Sequence, residues 1–343
     1  MNMSGYEELV VKIEDVKGSY YQMGLQQGKG LFSLLQMQKD ALLHLTRSTN
    51  TQIAKQLLQK HCPQLINEME GLSAGTALSL DTVLRLYSGY TITFPEMGCT
   101  AFMHDGMYVR NYDFSPALYD ARLVFSNPEN GYASIGFSQQ IIGRLNGMNE
   151  YGLVVGLHFV NHEHSEEGFI ASTIIRILLE QCKTIEEACM LIKEIPHGYC
   201  YNYSMTDCSG RAIVVEASPQ KQVIKRENSF ICTNHFESLH LIEKNKKMIE
   251  GSIHRKQFLT KLLKEELTTT ALYQHFNAEN SPLFYHNYQE YFGTLHTIIY
   301  QPKTLEILVG IGGNAQPTAF SFKEYLEGAL MLPKVIKGII YIN

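Results

Sequence analysis

The stretch Met97-Gly98-Cys99-Thr100-Ala101-Phe102-Met103-His104-Asp105-Gly106-Met107-Tyr108-Val109-Arg110-Asn111-Tyr112-Asp113-Phe114 is where the pattern of the chain changes. Two apolar runs, 99–103 and 107–114, flank His104-Asp105-Gly106. Asp-Gly between such runs signals a β-hairpin. A pairing centred on 104–106 puts residue 99 opposite about residue 111. That brings Arg110 and Asp113 within reach of a group at Cys99. A buried cysteine is ordinarily an inert small hydrophobe, and a surface Arg–Asp pair contributes little. An arginine beside a thiol, however, favours the thiolate, and a carboxylate can hold an amine.

Upstream of the hairpin the spacing is helical. Residues 20–47 carry Leu31, Leu34, Leu35, Leu42 and Leu45 on one face. Residues 51–78 continue the pattern, with Pro63 near a helix boundary, and Ser79 caps a short helix to about residue 91. The first hundred residues therefore read as helical. Downstream, strand-like runs fall at 122–126, 133–138, 145–148 and 153–160. Helices at 170–182 and 184–195 follow, the second with a Thr184/Glu187 capping box. Strands return at 201–206, 211–217, 221–226 and 229–233. A helical stretch at 254–277 and strands at 294–300 and 304–311 complete the order. Short turns between successive strands imply antiparallel pairing. Helices set between two blocks of strands imply an α+β protein with two sheets and helices outside them.

Composition sets the outer limits. The chain has 343 residues, 45% hydrophobic and 18% charged, with net charge −5. That supports a large core and excludes disorder as the dominant state. It gives no field that would favour nucleic acid or an anionic membrane. Seven cysteines with no CxxC pair argue against a disulfide framework or a zinc ribbon. A reducing, cytoplasmic setting is expected. The first residues lack the apolar stretch of a signal peptide, and no apolar run is long enough to span a membrane. The tail from Ala329 to Asn343 reads as a packed C-terminal segment. His162-Glu163-His164 has a metal-like look but no further clustered ligand, so neither metal nor cofactor is expected. The sequence leaves a homo-oligomer open.

Five blocks recur in an order that resembles a known family: Gly98-Cys99-Thr100; Arg110-Asn111-Tyr112-Asp113; Asn149-Glu150-x-Gly152-Leu153 with Gly156-Leu157; the Asp207-x-x-Gly210 turn leading to Glu216; and Thr233-Asn234. Gly18-Ser19-Tyr20-Tyr21-x-x-Gly24-x-x-x-Gly28 adds to the likeness. The chain resembles the N-terminal-nucleophile cysteine hydrolases. It is most similar to the acyl-coenzyme A:6-aminopenicillanate acyltransferase branch, and more distantly to choloylglycine hydrolases and penicillin V acylases.

The resemblance implies a four-layer αββα sandwich over residues 99–343, preceded by a helical leader, residues 1–98. It implies that Cys99 is the nucleophile, released by self-cleavage of the Gly98–Cys99 bond. Gly98, without a Cβ, permits the close approach this needs. The freed α-amine, with a reference pKa of about 7.7–8.0, then serves as base for its own thiol. Asp113 matches the carboxylate that holds the amine, Arg110 the arginine that supports the thiolate, and Asn234 an oxyanion-hole donor. Asn111, Tyr112 and His158 are expected on the substrate or oxyanion side. His158 stands where relatives carry Asn or Tyr, and His296 near where they carry arginine. The implied activity is amide hydrolysis or acyl transfer on a small-molecule acyl substrate, such as acyl-CoA or an N-acyl amide. An uncleaved, dormant chain and a non-catalytic binding protein are the competing readings.

Overall fold

The computed structural model describes residues 5–92, 96–290 and 292–342, without the side chains of residues 31–41. It opens on a strand rather than a helix. In β1 (Tyr6–Gly18) Leu9 and Val11 are buried while Glu8, Val10 and Lys12 face out, and Val16, on the other face, is buried against Met23 and Val124. The period of two at Glu8–Lys12 is masked in the sequence by Val10, apolar but facing out. The helical stretch follows. In α1 (Tyr20–Leu45) Ser19 accepts from the Gln22 N–H, and the Gln22 side chain accepts from the Ser19 N–H. The second stretch is split at Cys62–Pro63 into α2 (Thr51–His61) and α3 (Pro63–Thr76), because proline takes the first position of a new helix. Ser79 caps α4 (Leu80–Tyr87).

The hairpin is β2 (Gly98–His104) and β3 (Met107–Phe114). Next come β4 (Arg122–Pro128), β5 (Ser134–Gln139), β6 (Gly143–Asn149) and β7 (Val154–Asn161). Two helices, α5 (Ala171–Gln181) and α6 (Ile185–Leu191), lead to β8 (Cys200–Thr206), β9 (Ala212–Ala217), β10 (Gln222–Glu227) and β11 (Phe230–Cys232). The single helix expected at 254–277 is two, α7 (Glu250–Leu262) and α8 (Thr269–Asn277). The chain ends with β12 (Gly293–Gln301), β13 (Glu306–Ile311), β14 (Thr318–Ser321), α9 (Phe322–Leu326) and β15 (Val335–Tyr341).

The strands form a nine-stranded sheet, β10-β9-β8-β7-β6-β5-β4-β1-β15, and a six-stranded sheet, β11-β2-β3-β12-β13-β14. Every pairing is antiparallel except β1 with β4. The sheets face each other through such contacts as Tyr300 Oη to Asn146 Oδ1 (2.6 Å) and Tyr108 Oη to Ser204 Oγ (2.8 Å). Helix α5 covers the large sheet, and α7 and α8 cover the small one. The result is an αββα sandwich. Helices α1 and α3 pack together outside α5, and a buried arginine locks them to it. Arg176 of α5 binds Glu68 of α3 and Glu180, each at 2.6 Å. Among the described residues no helix is long and apolar enough to cross a membrane.

Candidate active site

The hairpin turn is tighter than expected. Its two free residues are Asp105 and Gly106, with His104 paired to Met107. Cys99 therefore faces Tyr112, not residue 111, while Gly98 faces Asp113 and Ala101 faces Arg110. Alternation along the strands then sorts the site into two sides. Cys99, Arg110 and Tyr112 point between the sheets. Gly98, Thr100, Asn111 and Asp113 point towards α7 and α8.

Between the sheets, Arg110 Nη2 lies 2.9 Å from Cys99 Sγ and donates to Leu157 O at 2.5 Å. Its guanidinium sits over the Tyr112 ring, 5.7 Å from the centroid. Gly156 makes room for this. A Cβ there would come within 2.1 Å of Tyr108 Oη and 3.1 Å of Arg110 Nε. The thiol is wholly buried. Burial pushes it up to about 11; Arg110, Arg255 and the Phe159 N–H oppose that shift, and Asp113 adds to it. His158 is wholly buried too, with Nε2 2.8 Å from Ser204 Oγ. Burial, with Arg110 nearby, holds it neutral, well below the usual histidine range.

On the other side the organising group is Arg255 of α7. Its Nη1 donates to Cys99 O (3.1 Å) and Thr100 Oγ1 (2.6 Å), and its Nη2 to Asn234 Oδ1 (2.9 Å). Nη1 also lies 3.5 Å from Asp113 Oδ2. Asp113 Oδ1 accepts from Thr294 Oγ1 at 2.7 Å. Burial raises the Asp113 pKa, opposed chiefly by Arg255 and Thr294.

Asn234 receives the backbone N–H of Cys99 on Oδ1 at 2.9 Å and donates from Nδ2 to Phe159 O at 2.8 Å. Its backbone is clamped from two elements. Asn202 Nδ2 donates to the carbonyls on either side, Thr233 (3.1 Å) and His235 (2.9 Å). Ser252 Oγ of α7 accepts the Asn234 N–H at 2.8 Å. Glu216, singled out in the sequence, is buried behind this turn and accepts the N–H groups of Glu237 and Ser238.

The structure thus brings Cys99, Arg110, Tyr112, Asp113, His158 and Asn234 together. It does not bring Asn111 to the thiol. That side chain faces α8, where it donates to Phe276 O and Leu283 O at 2.8 and 2.9 Å. His296 faces Tyr112 across β12 and β3, stacks on Phe137 at 3.6 Å, and meets Tyr119 Oη through Nδ1 at 2.7 Å. It is part of an aromatic layer and is held neutral by burial. Arg255, Thr294, Asn202 and Ser252 were not among the sequence candidates. Arg255 left one trace. The buried stripe of α7 is Ser252, Arg255, Leu259 and Leu262, so a guanidinium stands where helical spacing calls for an apolar residue.

Two guanidiniums, one carboxylate and one thiol meet here. Arg110 lies against the thiol sulfur, and Asn234 accepts the cysteine's own N–H.

The sequence profile of the acyl-coenzyme A:6-aminopenicillanic acid acyl-transferase family matches residues 102–316. No curated protein sequence matches the chain. Several solved structures are similar at low identity. Penicillin V acylase from Agrobacterium tumefaciens aligns at 12% identity over 66% of this chain and 86% of its own, with a TM-score of 0.41. A variant of conjugated bile acid hydrolase from Clostridium perfringens aligns at 13% over 71% and 97%, at 0.44. The N-acylethanolamine-hydrolyzing acid amidase ortholog of Caenorhabditis elegans aligns at 12% over 60% and 93%, at 0.41.

Proposed function

Since the chain belongs to the acyl-coenzyme A:6-aminopenicillanic acid acyl-transferase family, we propose that it is a self-processing amidohydrolase or acyltransferase with Cys99 as nucleophile. The observation that carries this is the reception of a mid-chain cysteine. Its Sγ is met by Arg110, and its backbone N–H by Asn234, beside Asp113 and Arg255.

Activation begins with attack of the Cys99 thiol on the Gly98 carbonyl. The C–S bond forms, the Gly98–Cys99 C–N bond breaks, and the thiol proton goes to the departing nitrogen. Water then hydrolyses the thioester, leaving a Gly98 carboxylate and a free Cys99. The new α-amine, with a reference pKa of about 7.7–8.0, forms where Asn234 Oδ1 already accepts the Cys99 N–H, and Asp113, whose Oδ2 has no hydrogen-bond partner, is the carboxylate available to pair with it.

In turnover the amine takes the thiol proton and Cys99 attacks the substrate acyl carbonyl. Asn234 Nδ2 stabilises the oxyanion, a contribution typically of about 3–4 kcal/mol. The α-ammonium returns the proton to the leaving amine, or to the leaving thiol of a thioester donor. Water or a second amine then resolves the acyl-Cys99. The substrate is a small molecule carrying an acyl amide or thioester. In the continuous chain burial pushes the thiol up to about 11, so towards an external substrate it is held mostly protonated until the cut supplies the amine.

Intact mass under denaturing conditions tests this. Wild type should yield fragments 1–98 and 99–343, and Cys99→Ala should stay whole. A single uncut species that also resists thiol electrophiles at Cys99, or a Cys99→Ala chain cut at the same bond, would overturn the proposal.

A further inference from the structure

We propose that Met97 occupies the acyl pocket of the uncut chain, and that this pocket selects uncharged, straight acyl chains unbranched beside the carbonyl. This rests on the reading of Cys99 given above. Met97 is buried, with 5% of its surface exposed, two residues before the thiol. It lines a small cavity with Gln139, Leu157, Ile170, Ala171, Ser172 and Tyr201. The space left is about 10 Å³, room for roughly one water. The cavity is linked to Cys99 through Arg110. Its wall residue Leu157 offers its carbonyl to Arg110 Nη2, the same nitrogen that lies 2.9 Å from Cys99 Sγ. No charged side chain lines it. The Ser172 hydroxyl, buried there, has no hydrogen-bond partner.

The leader is the first acyl group that Cys99 carries. In the N-to-S shift the Gly98 carbonyl moves onto sulfur, with the Gly98 Cα behind it and Met97 beyond. After hydrolysis Met97-Gly98 is a free chain end, and its withdrawal empties the seat. A substrate acyl group then retraces the same path. Its carbonyl carbon takes the place of the Gly98 carbonyl, its next carbon that of the Gly98 Cα, and its tail enters the Met97 seat.

Two dimensions of the substrate follow. A carbon added at the Gly98 Cα with the hand of an L side chain would lie 2.5 Å from Phe292 Cζ and 3.0 Å from Asp113 Oδ2, so a branch of that hand beside the carbonyl collides. Counted from the Gly98 carbonyl carbon through Gly98 Cα, Gly98 N, Met97 C and Met97 Cα, the unbranched Met97 side chain supplies about the sixth to ninth atoms, so an acyl chain of about nine carbons fills the seat.

The test uses the matured full-length protein and p-nitroanilides of straight-chain acids from acetyl to dodecanoyl, with the 2-methyl enantiomer of the best of them whose methyl has the hand of an L side chain. Expected is a rise in kcat/KM of roughly fourfold per methylene until the seat is full, then a fall. The 2-methyl substrate should be poorer by about tenfold or more. Ala171→Leu should move the optimum to shorter chains. Met97→Trp, whose larger side chain must enter the same seat, should slow scission about tenfold or more. A flat chain-length profile, or equal rates for straight and 2-methyl substrates, would overturn the inference. So would wild-type scission rates in Met97→Trp. Each of these leaves Cys99-dependent scission intact, whereas loss of scission and of Cys99 labelling would refute the earlier reading instead.

Discussion

Arg255 touches four groups of the site at once, so replacing it by methionine is a demanding test. The substitution keeps an unbranched, flexible stem as far as the position of Nε and removes the guanidinium with its charge. Asn234 Oδ1 loses a donor but keeps the Cys99 N–H. Cys99 O and Thr100 Oγ1 lose theirs. The heaviest loss is at Asp113. Its Oδ2 has no hydrogen-bond partner, and Arg255 at 3.5 Å is its ion-pair partner. Breaking a buried pair by removing one member costs about 3–5 kcal/mol. Protonation relieves part of this, because burial already raises the Asp113 pKa. Taking about 3 kcal/mol as the loss at the reacting centre, scission and turnover should each slow by roughly a hundredfold. Arg255→Lys restores a charge but not a fork that reaches several acceptors, so it should recover only part of the rate. The assay is the time course of cleavage by intact mass, then kcat/KM of the matured enzyme, with a thermal melt to establish folding. A folded Arg255→Met chain that cuts and turns over within about threefold of wild type would show that the four contacts do not serve the reaction.

Asn202 clamps the carbonyls on either side of Asn234, so Asn202→Ala should lower kcat about tenfold or more and leave KM nearly unchanged. Asn202→Asp, equal in size but unable to donate, should behave alike; a change in KM alone would contradict a positioning role. Once cut, the leader should stay bound, because β1 is paired with both β4 and β15 and Glu68 is held by Arg176. Native gel filtration should show the fragments co-eluting, and separation without denaturant would refute this. Burial pushes the pKa of His197 down to about 4, against 6.5 for an unperturbed ring. Between those values the unfolded chain binds a proton that the native fold does not. Stability is therefore full above pH 6.5 and falls as the pH drops towards 4, by on the order of 3 kcal/mol for this ring. Urea midpoints at pH 7 and pH 4.5 measure it, and an unchanged midpoint would argue against a neutral buried His197.

The hairpin was legible because its turn carries Asp-Gly, which needs no tertiary context. Its register was read one residue out because His104 was counted in the turn, whereas it pairs with Met107. That slip did not mislead about Arg110 and Asp113, since both lie close to Cys99 in either register. It did mislead about Asn111, whose side chain goes to the opposite face. β1 was missed because the outward Val10 sits between the inward Leu9 and Val11, so the apolar run does not show an alternation. Arg255 and Asn202 come from elements distant in sequence. Such partners are legible only once the sheets are stacked, and a lone arginine on a helix stripe was the single hint.

The site draws on widely spaced parts of the chain: Cys99 and Asp113 on the hairpin, Asn234 and Arg255 well beyond it, and Thr294 on β12. On a ribosome adding about 5–20 residues per second, Thr294 follows Cys99 by some tens of seconds at the slower end. Until it emerges, Asp113 lacks a hydrogen-bond donor and the strand that carries it lacks its inner neighbour. The proposed scission therefore cannot precede near-complete synthesis. On the proposed scheme a polypeptide truncated before β12 stays uncut, and scission reports that synthesis has passed Thr294.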